Sequence, residues 1–406
     1  MNSIDVASSN PFLRYRRMLD SYRRASASGW SDADFVALVE RLQESVREVD
    51  GRGFEVTPLS QEPGTSRALA LPTDRLWIKD DTNNVGGSHK ARHLFGVMLH
   101  QALDNRDRPS ELAIASCGNA ALAAAVVARA EERPLRVFIP TWAESAIVEE
   151  LERLDARIEV CERRPGEEGD PTYLRFLEAV EAGATPFSVQ STVTATTIDG
   201  GRTLGWEAAE QLGNAGVEGP MRVMLQIGGG AMASAVAMGL GQGVDRDWVR
   251  IEPRYHPVQT QACAPLHRAW AALLEASGIP GPDPQRAAEL ASDPGAIAVV
   301  LSLATNQPNR FMYPWDPVGE TVATGILDDV TYDWLGVIEP TVRSAGWPVV
   351  VTEPAVVEAH RIAREEAGID ASATGSAGIA GLLDDALAAS LTSEESVLVF
   401  VTGVER

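Results

Sequence analysis

The sequence predicts an α/β protein of two domains, each a twisted parallel sheet covered by helices. Three observations carry this. Short β-rich runs alternate with helix-period segments along most of the chain. Several of those runs end directly in glycine- or small-residue turns that open a helix, the order of a βα unit. At 406 residues, with 45 % hydrophobic and 23 % charged residues, the chain is long enough for two cores and has a globular composition.

The elements follow in order. The first stretch is polar and arginine-rich. A helix is predicted from about Asp32 to Val49, where Phe35, Leu38, Val39, Leu42, Val46 and Val49 recur at helical steps, with Ser31 and Asp34 as a capping box. Residues 51–68 read as loop, and Leu76-Trp77-Ile78 as a strand. Then come helix 91–103, strand 111–115, helix 119–131, strand 136–139, helix 143–154, strand 158–161 and helix 171–181. Helix 202–212 leads to strand 221–227, a triple-glycine turn and a helix from Ala231. Strand 249–252 follows. The chain closes with strand 349–351, helices 355–366 and 375–388, and strand 397–401. Residues 276–331, rich in Pro, Asp and Asn, give no clear pattern.

Charge narrows the function classes. The 57 acids and 35 bases leave a net charge of −22. A nucleic-acid partner or an anionic membrane would call for a basic surface, so neither is expected. The apolar stretch 223–244 is broken by Gln226 and three glycines and reads as strand, turn and helix rather than a membrane span. The N-terminal residues have no apolar core of the signal-peptide kind. Cys117, Cys161 and Cys263 are too few and scattered for a disulfide framework or a zinc ribbon, which points to a reducing cytoplasm. The six histidines have no ligand-type spacing beyond His89/His93, so no metal is expected.

One count is more pointed. Among 35 basic residues only two are lysines, Lys79 and Lys90, and both lie in one Gly/Asn-rich segment. An arginine guanidinium stays protonated and cannot form a Schiff base, so chemistry at a lysine is worth testing.

Four segments are chemically suggestive. In Asn84-Val85-Gly86-Gly87-Ser88-His89-Lys90 a strand enters a glycine turn, and a helix starts at Lys90, where backbone N–H groups and the helix dipole favour a nucleophilic amine. In Ser116-Cys117-Gly118-Asn119 a strand meets a helix start that can bind a carboxylate; Asn119 read alone is equally an ordinary N-cap. In Gly228-Gly229-Gly230-Ala231-Met232 a buried strand opens into a turn suited to one phosphate. It has neither GxGxxG nor GK[ST], so a dinucleotide or P-loop reading is disfavoured. Finally, Thr402 ends the last strand, where a hydroxyl can donate to a neutral ring nitrogen.

Taken in this order, the four segments resemble the fold-type II pyridoxal-phosphate (PLP) enzymes, the tryptophan-synthase-β-like superfamily. Within it the chain is most similar to threonine synthase, through Thr197–Gly213, Val258–Trp270, Ala355–Gly368 and Ser376–Leu383. The resemblance covers roughly residues 76–403. It implies that Lys90 carries PLP as a Schiff base and shuttles the α-proton, and that Asn119 contacts the 3′-oxygen. It implies that Gly228, Gly229, Gly230, Ala231 and Met232 cradle the cofactor phosphate and that Thr402 faces the ring nitrogen. His89 is similar to a tryptophan synthase β histidine near that phosphate. Ser88, Ser116, Cys117 and Gly118 would meet the amino-acid substrate, with Cys117 standing where a second Ser or Thr is usual.

The expected fold is thus two α/β domains with the cofactor in the cleft between them. Residues 1–70 form an N-terminal extension, 90–194 a smaller domain, and 71–89 with 195–406 a larger PLP-binding domain. A homodimer is expected. Three activities compete. Threonine synthase would act on O-phosphohomoserine and needs a second anion site, for which Lys79, Arg92 and Arg310 are candidates. A threonine/serine dehydratase (ammonia-lyase) needs none. A β-replacement synthase rests on His89 alone. A non-catalytic member of the scaffold is the alternative from another class.

Overall fold

The computed structural model describes residues 4–104, 110–279 and 284–406. The α/β class and the parallel sheets flanked by helices are as the sequence implies. The strands are β1 (Leu59–Ser60), β2 (Leu76–Asp80), β3 (Leu112–Ala115), β4 (Leu135–Pro140), β5 (Arg157–Cys161), β6 (Thr185–Pro186), β7 (Glu218–Gln226), β8 (Arg250–Thr260), β9 (Val349–Val351) and β10 (Ser396–Val401). They form a six-stranded sheet, β1-β2-β10-β7-β8-β9, and a four-stranded one, β5-β4-β3-β6. Among these strands every pairing is parallel except β1 with β2.

The chain divides into two compact units. One comprises residues 1–56, 83–203 and 406; the other comprises 57–82 and 204–405. The first holds the four-stranded sheet and the second the six-stranded one.

In the first unit the N-terminal segment packs onto the helix that begins at Lys90. Phe12, Phe54 and Phe95 form a fully buried aromatic cluster with ring centroids 4.5–5.1 Å apart. Phe95 belongs to the Lys90–Leu103 helix. The predicted capping box at Ser31 and Asp34 is present and starts a helix at Asp32–Asp50.

A second contact fixes the same helix. Gly96 meets Gly200, in the Thr197–Asn214 helix, with backbone against backbone. A Cβ on Gly96 would lie 2.5 Å from the Gly200 nitrogen, and one on Gly200 would land on the Arg92 carbonyl oxygen. Neighbouring Asp199 caps the Asp20–Ala27 helix, which has no side-chain cap of its own. Its carboxylate accepts from the amides of Asp20 (2.8 Å) and Ser21 (2.9 Å), and lies 2.9 Å from His100 Nε2 and 2.5 Å from Arg202. Burial raises the Asp199 pKa, but the His100 hydrogen bond and the Arg202 charge outweigh it and hold it at about 2.

In the second unit β8 runs on past the predicted end at Glu252, through Pro253 and Pro257. Prolines normally argue against an interior strand. Here both are odd-numbered, and the side facing β7 belongs to even-numbered residues, since Ile227 N donates to Val258 O at 2.8 Å. On the other side β9 pairs only from Val258 onward, so neither proline removes a ladder bond.

Lys79, on β2, is fully buried. Its Nζ donates to Glu207 Oε2 (2.7 Å), Thr57 O (2.6 Å) and Gln211 Oε1 (2.8 Å). It is a structural pin that ties β2 to the helix before β7.

Several elements are not legible in the sequence. Pro63–Ala68 is a short helix where a loop is expected. Helices Pro265–Ala276 and Trp334–Arg343 are not among the predicted elements. The expected helix 375–388 is broken into Ala373–Ala380, a 3-10 turn at Gly381–Leu383 and Asp385–Ser390. The unpatterned stretch 276–331 contains the helices Pro284–Ala291 and Pro294–Asn306. Among the described residues no single helix is long and apolar enough to cross a membrane.

Two outcomes test this packing. Gly200→Ala is expected to lower unfolding free energy by roughly 2–4 kcal/mol, because backbone cannot yield to the new methyl. Gly241→Ala, where a Cβ meets nothing within 4 Å, should be neutral or stabilise by up to about 1 kcal/mol; urea unfolding midpoints read both. The depressed Asp199 pKa lends stability that is complete above its unfolded value of 3.8 and is lost as pH falls through about 2. The acid limb of stability against pH should therefore be flatter in Asp199→Asn than in the parent chain.

Candidate active site

The lysine and asparagine turns lie in the first unit. Gly86 and Gly87 take left-handed φ of 63° and 66°, which is why glycine stands at both positions. The turn delivers Ser88, His89 and Lys90 to the start of the Lys90–Leu103 helix. Lys90 is half-buried, at the end of that helix where the backbone dipole is positive. His89 stays neutral near pH 7: burial pushes its pKa well below the usual range, and the positive Lys90 adds to this. It can serve as an N–H donor but not as a counter-charge. His93, at 5.7 Å ring to ring, is likewise neutral, held at about 3 by burial, and its Nδ1 is 3.1 Å from Thr197 O.

β3 ends at Ala115, and Ser116, Cys117, Gly118 and Asn119 follow as a half-exposed turn into the Asn119–Ala130 helix. Ser116 Oγ accepts from Gly118 N at 3.4 Å. The two turns come together. A Cβ on Gly86 would lie 3.8 Å from Ala123 of the Asn119 helix. Arg406 spans them, donating to Asn119 Oδ1 and to Gly86 O, the latter at 2.6 Å.

The glycine turn and Thr402 lie in the second unit. Strands β2, β10 and β7 are adjacent and parallel, so their carboxyl ends share one edge of the sheet, the edge where open α/β sheets bind ligands. Thr402 follows β10 and is buried; Gly228, Gly229 and Gly230 follow β7. The turn needs its glycines. A Cβ on Gly228 would strike the Asp328 carboxylate, one on Gly229 would lie 3.2 Å from Tyr332, and Gly230 has φ of 90°. The helix from Ala231 to Val244 then points its first N–H groups out of the turn. Gly375 joins the two parts: its carbonyl accepts from Gln226 Nε2 (2.8 Å) and from Thr402 N (3.2 Å).

Three residues that contact these turns were not singled out from the sequence. Arg406 stands outside every motif, and no local signal marks it. Gln226 was visible beside the turn, but its hold on Gly375 was not. Asp328 lies in the stretch that gave no pattern. The cysteines other than Cys117 are poor nucleophiles: burial pushes Cys161 up to about 11 and Cys263 up to about 12.

A family model described as pyridoxal-phosphate dependent enzyme matches residues 52–403, and the chain belongs to that family. It is a PLP-dependent enzyme, and lyases are among the proteins that share its fold. Among solved structures it is similar to a threonine deaminase from T.th., at 18 % identity and a TM-score of 0.64, over 90 % of this chain and 98 % of that one. It is similar to maize serine racemase, at 19 % identity and 0.60, over 90 % and 93 %. It is also similar to diaminopropionate ammonia lyase from Escherichia coli, at 16 % identity and 0.64, over 92 % and 89 %. At these identities the likeness establishes the fold. A search of curated proteins finds no match.

The residues fit the cofactor. The glycines are demanded by close packing against Ile326, Asp328, Thr331 and Tyr332, and the turn they form opens the Ala231–Val244 helix, whose first N–H groups suit a phosphate. In the lysine turn, two buried oxygens, Ser88 Oγ and Asn84 Oδ1, lack a hydrogen-bond partner, as expected of groups awaiting a polar ligand. Lys90, half-buried at the helix start, carries an amine of the kind the cofactor's aldehyde requires.

The cradle has a direct test. Gly228→Ala should weaken PLP binding by about tenfold or more and leave the binding of pyridoxal, which has no phosphate, little changed. Equilibrium dialysis with the two ligands separates the outcomes, and equal loss of both would remove the turn from the phosphate site.

Proposed function

We propose that the chain is a PLP-dependent lyase that eliminates the β-substituent of a small L-amino acid, in the manner of a threonine or serine ammonia-lyase. The observation that carries this choice over threonine synthase concerns the second anion site. O-phosphohomoserine brings a phosphate of its own, and three cations were candidates to hold it. Lys79 is buried in its pair with Glu207. Arg92 is fully buried and donates to Thr203 Oγ1 at 3.2 Å. Arg310 is exposed, against Gln307 and the Phe311 ring. The two interior cations are committed to the fold, and a hydroxyl leaving group needs neither. The names of the similar structures, threonine deaminase and two ammonia-lyases among them, support the same reading.

When bound, PLP supplies the electron sink that makes the Cα–H bond acidic. The rest is the work of this chain's residues. Lys90 Nζ holds the cofactor and takes the proton from Cα. The N–H groups of the Ser116–Asn119 turn bind the substrate carboxylate, and Ser88 borders the same site. The Asn119 amide donates to the cofactor's 3′-oxygen. Backbone N–H groups of the Gly228–Met232 turn hold its phosphate, with the His89 N–H as a further donor. The neutral Thr402 hydroxyl does not force protonation of the ring nitrogen, which favours elimination over transamination. The net reaction converts the hydroxy-amino acid to a 2-oxo acid and ammonia; the water lost from Cβ is balanced by the water that releases the nitrogen.

The threonine synthase reading keeps its own support, the similarity of Thr197–Gly213, Val258–Trp270, Ala355–Gly368 and Ser376–Leu383 to that family. A homodimer in the cytoplasm belongs to the same proposal, and sedimentation equilibrium tests its first half.

The PLP-loaded chain is expected to release ammonia and a 2-oxo acid from L-threonine or L-serine, and Lys90→Ala should lose at least about 10³-fold in turnover. Phosphate release and threonine formation from O-phospho-L-homoserine, with no ammonia from the hydroxy-amino acids, would replace this reading with threonine synthase. Capture of an added thiol or indole would indicate β-replacement.

A further inference from the structure

Arg406 lies beyond the residues matched to the family model, 52–403, yet it sits at the junction of the two turns that carry Lys90 and Asn119. We propose that Arg406 is a positioning residue that orients and polarises the Asn119 amide toward the cofactor's 3′-oxygen. The inference rests on the reading of Asn119 given above.

A carboxamide has one acceptor oxygen and an NH₂ donor group, and its two ends are nearly alike in shape. A guanidinium has donors only. When Arg406 meets Asn119, the group it meets must be Oδ1, which settles the orientation of the amide. The Asn119 NH₂ then faces away from the arginine, with both hydrogens available to an acceptor.

The second arm of the fork fixes where the guanidinium sits. It donates to Gly86 O at 2.6 Å, in the turn that delivers Lys90. Gly86 is held from its other side, since its N–H donates to Asp50 Oδ1 at 3.2 Å. The amide of Asn119 is therefore referenced to the lysine turn through a rigid, planar, permanently charged group. Burial lowers the Arg406 pKa, while the carboxylates of Glu150 and Asp50 oppose that shift. A cation on the amide oxygen also draws density from the amide nitrogen, so the N–H groups become stronger donors.

That strength has a spectroscopic consequence. A donor on the 3′-oxygen stabilises its negative charge and loosens its hold on the proton shared with the lysine-bound nitrogen. Without the donor that proton is held to higher pH. Loss of Arg406 should therefore raise the pH midpoint of the visible absorbance band of the lysine-bound cofactor and weaken PLP binding. A purely structural role for this side chain would weaken binding without moving the midpoint.

The test uses the full-length holoenzyme with Arg406→Ala, Arg406→Lys, Asn119→Ala and the double variant Arg406→Ala/Asn119→Ala. For Arg406→Ala the expected results are a midpoint raised by about half a unit or more and PLP binding weakened roughly three- to tenfold. Arg406→Lys should recover part of the midpoint shift, because an ammonium still donates to Oδ1 but cannot fork to Gly86. In the Asn119→Ala background the change at Arg406 should add nothing further. A parental midpoint in Arg406→Ala, with Asn119→Ala shifted, would overturn the inference while leaving the reading of Asn119 intact. A full additive effect in the double variant would also overturn it. An unshifted Asn119→Ala would remove both. The ammonia-release assay reports separately on the proposed reaction.

Discussion

The first unit depends on a single close approach, that of the Lys90–Leu103 helix to the start of the Thr197–Asn214 helix at Gly96 and Gly200. Only hydrogen atoms separate the two backbones there. The contact sets the distance of the lysine helix from its neighbour, and residues around it add direction. Asp199, next to Gly200, caps the Asp20–Ala27 helix, and Phe95, next to Gly96, receives Phe12 and Phe54. The N-terminal segment is thus part of the packing that holds the Lys90–Leu103 helix in place.

The second unit depends on the insertion of the last strand into the middle of the sheet. β10 lies between β2 and β7, so Thr402 and the glycine turn emerge from neighbouring strands at the same edge. Gly375 keeps them in register, since its carbonyl serves both Gln226 and Thr402, and a Cβ there would collide with the Thr402 carbonyl. Residues remote in sequence are thereby brought to one edge of the sheet.

Electrostatics separates structural from functional cations in a chain of net charge −22. Lys79, half of the lysine content, is fully buried in an ion pair with Glu207. The second lysine, Lys90, is only half-buried at a helix start. Composition drew attention to both lysines equally. Burial and partners assign Lys79 to the fold, and the proposed chemistry rests on Lys90.

The alternation of strands and helices, the capping box at Ser31, the glycine turns and the order of the four motifs were legible because each is a local pattern of period or backbone freedom. That was enough for the α/β class and for the cofactor. The short helix at Pro63–Ala68, the broken helix after Ala373 and the helices within 276–331 were not legible, because their apolar faces are set by what they pack against. β8 was cut short at Pro253 because a proline's cost depends on whether a partner strand lies on its amide side. The structural use of Lys79, the grip of Gln226 and Thr402 on Gly375, and the reach of Arg406 to Asn119 are contacts between residues far apart in the chain. The sequence by itself determined which chemical groups the protein has and the turns that present them; only the tertiary structure decided which of those groups are tied up in holding the chain together, because burial and hydrogen-bond partnership are properties of the folded neighbourhood and not of the residue.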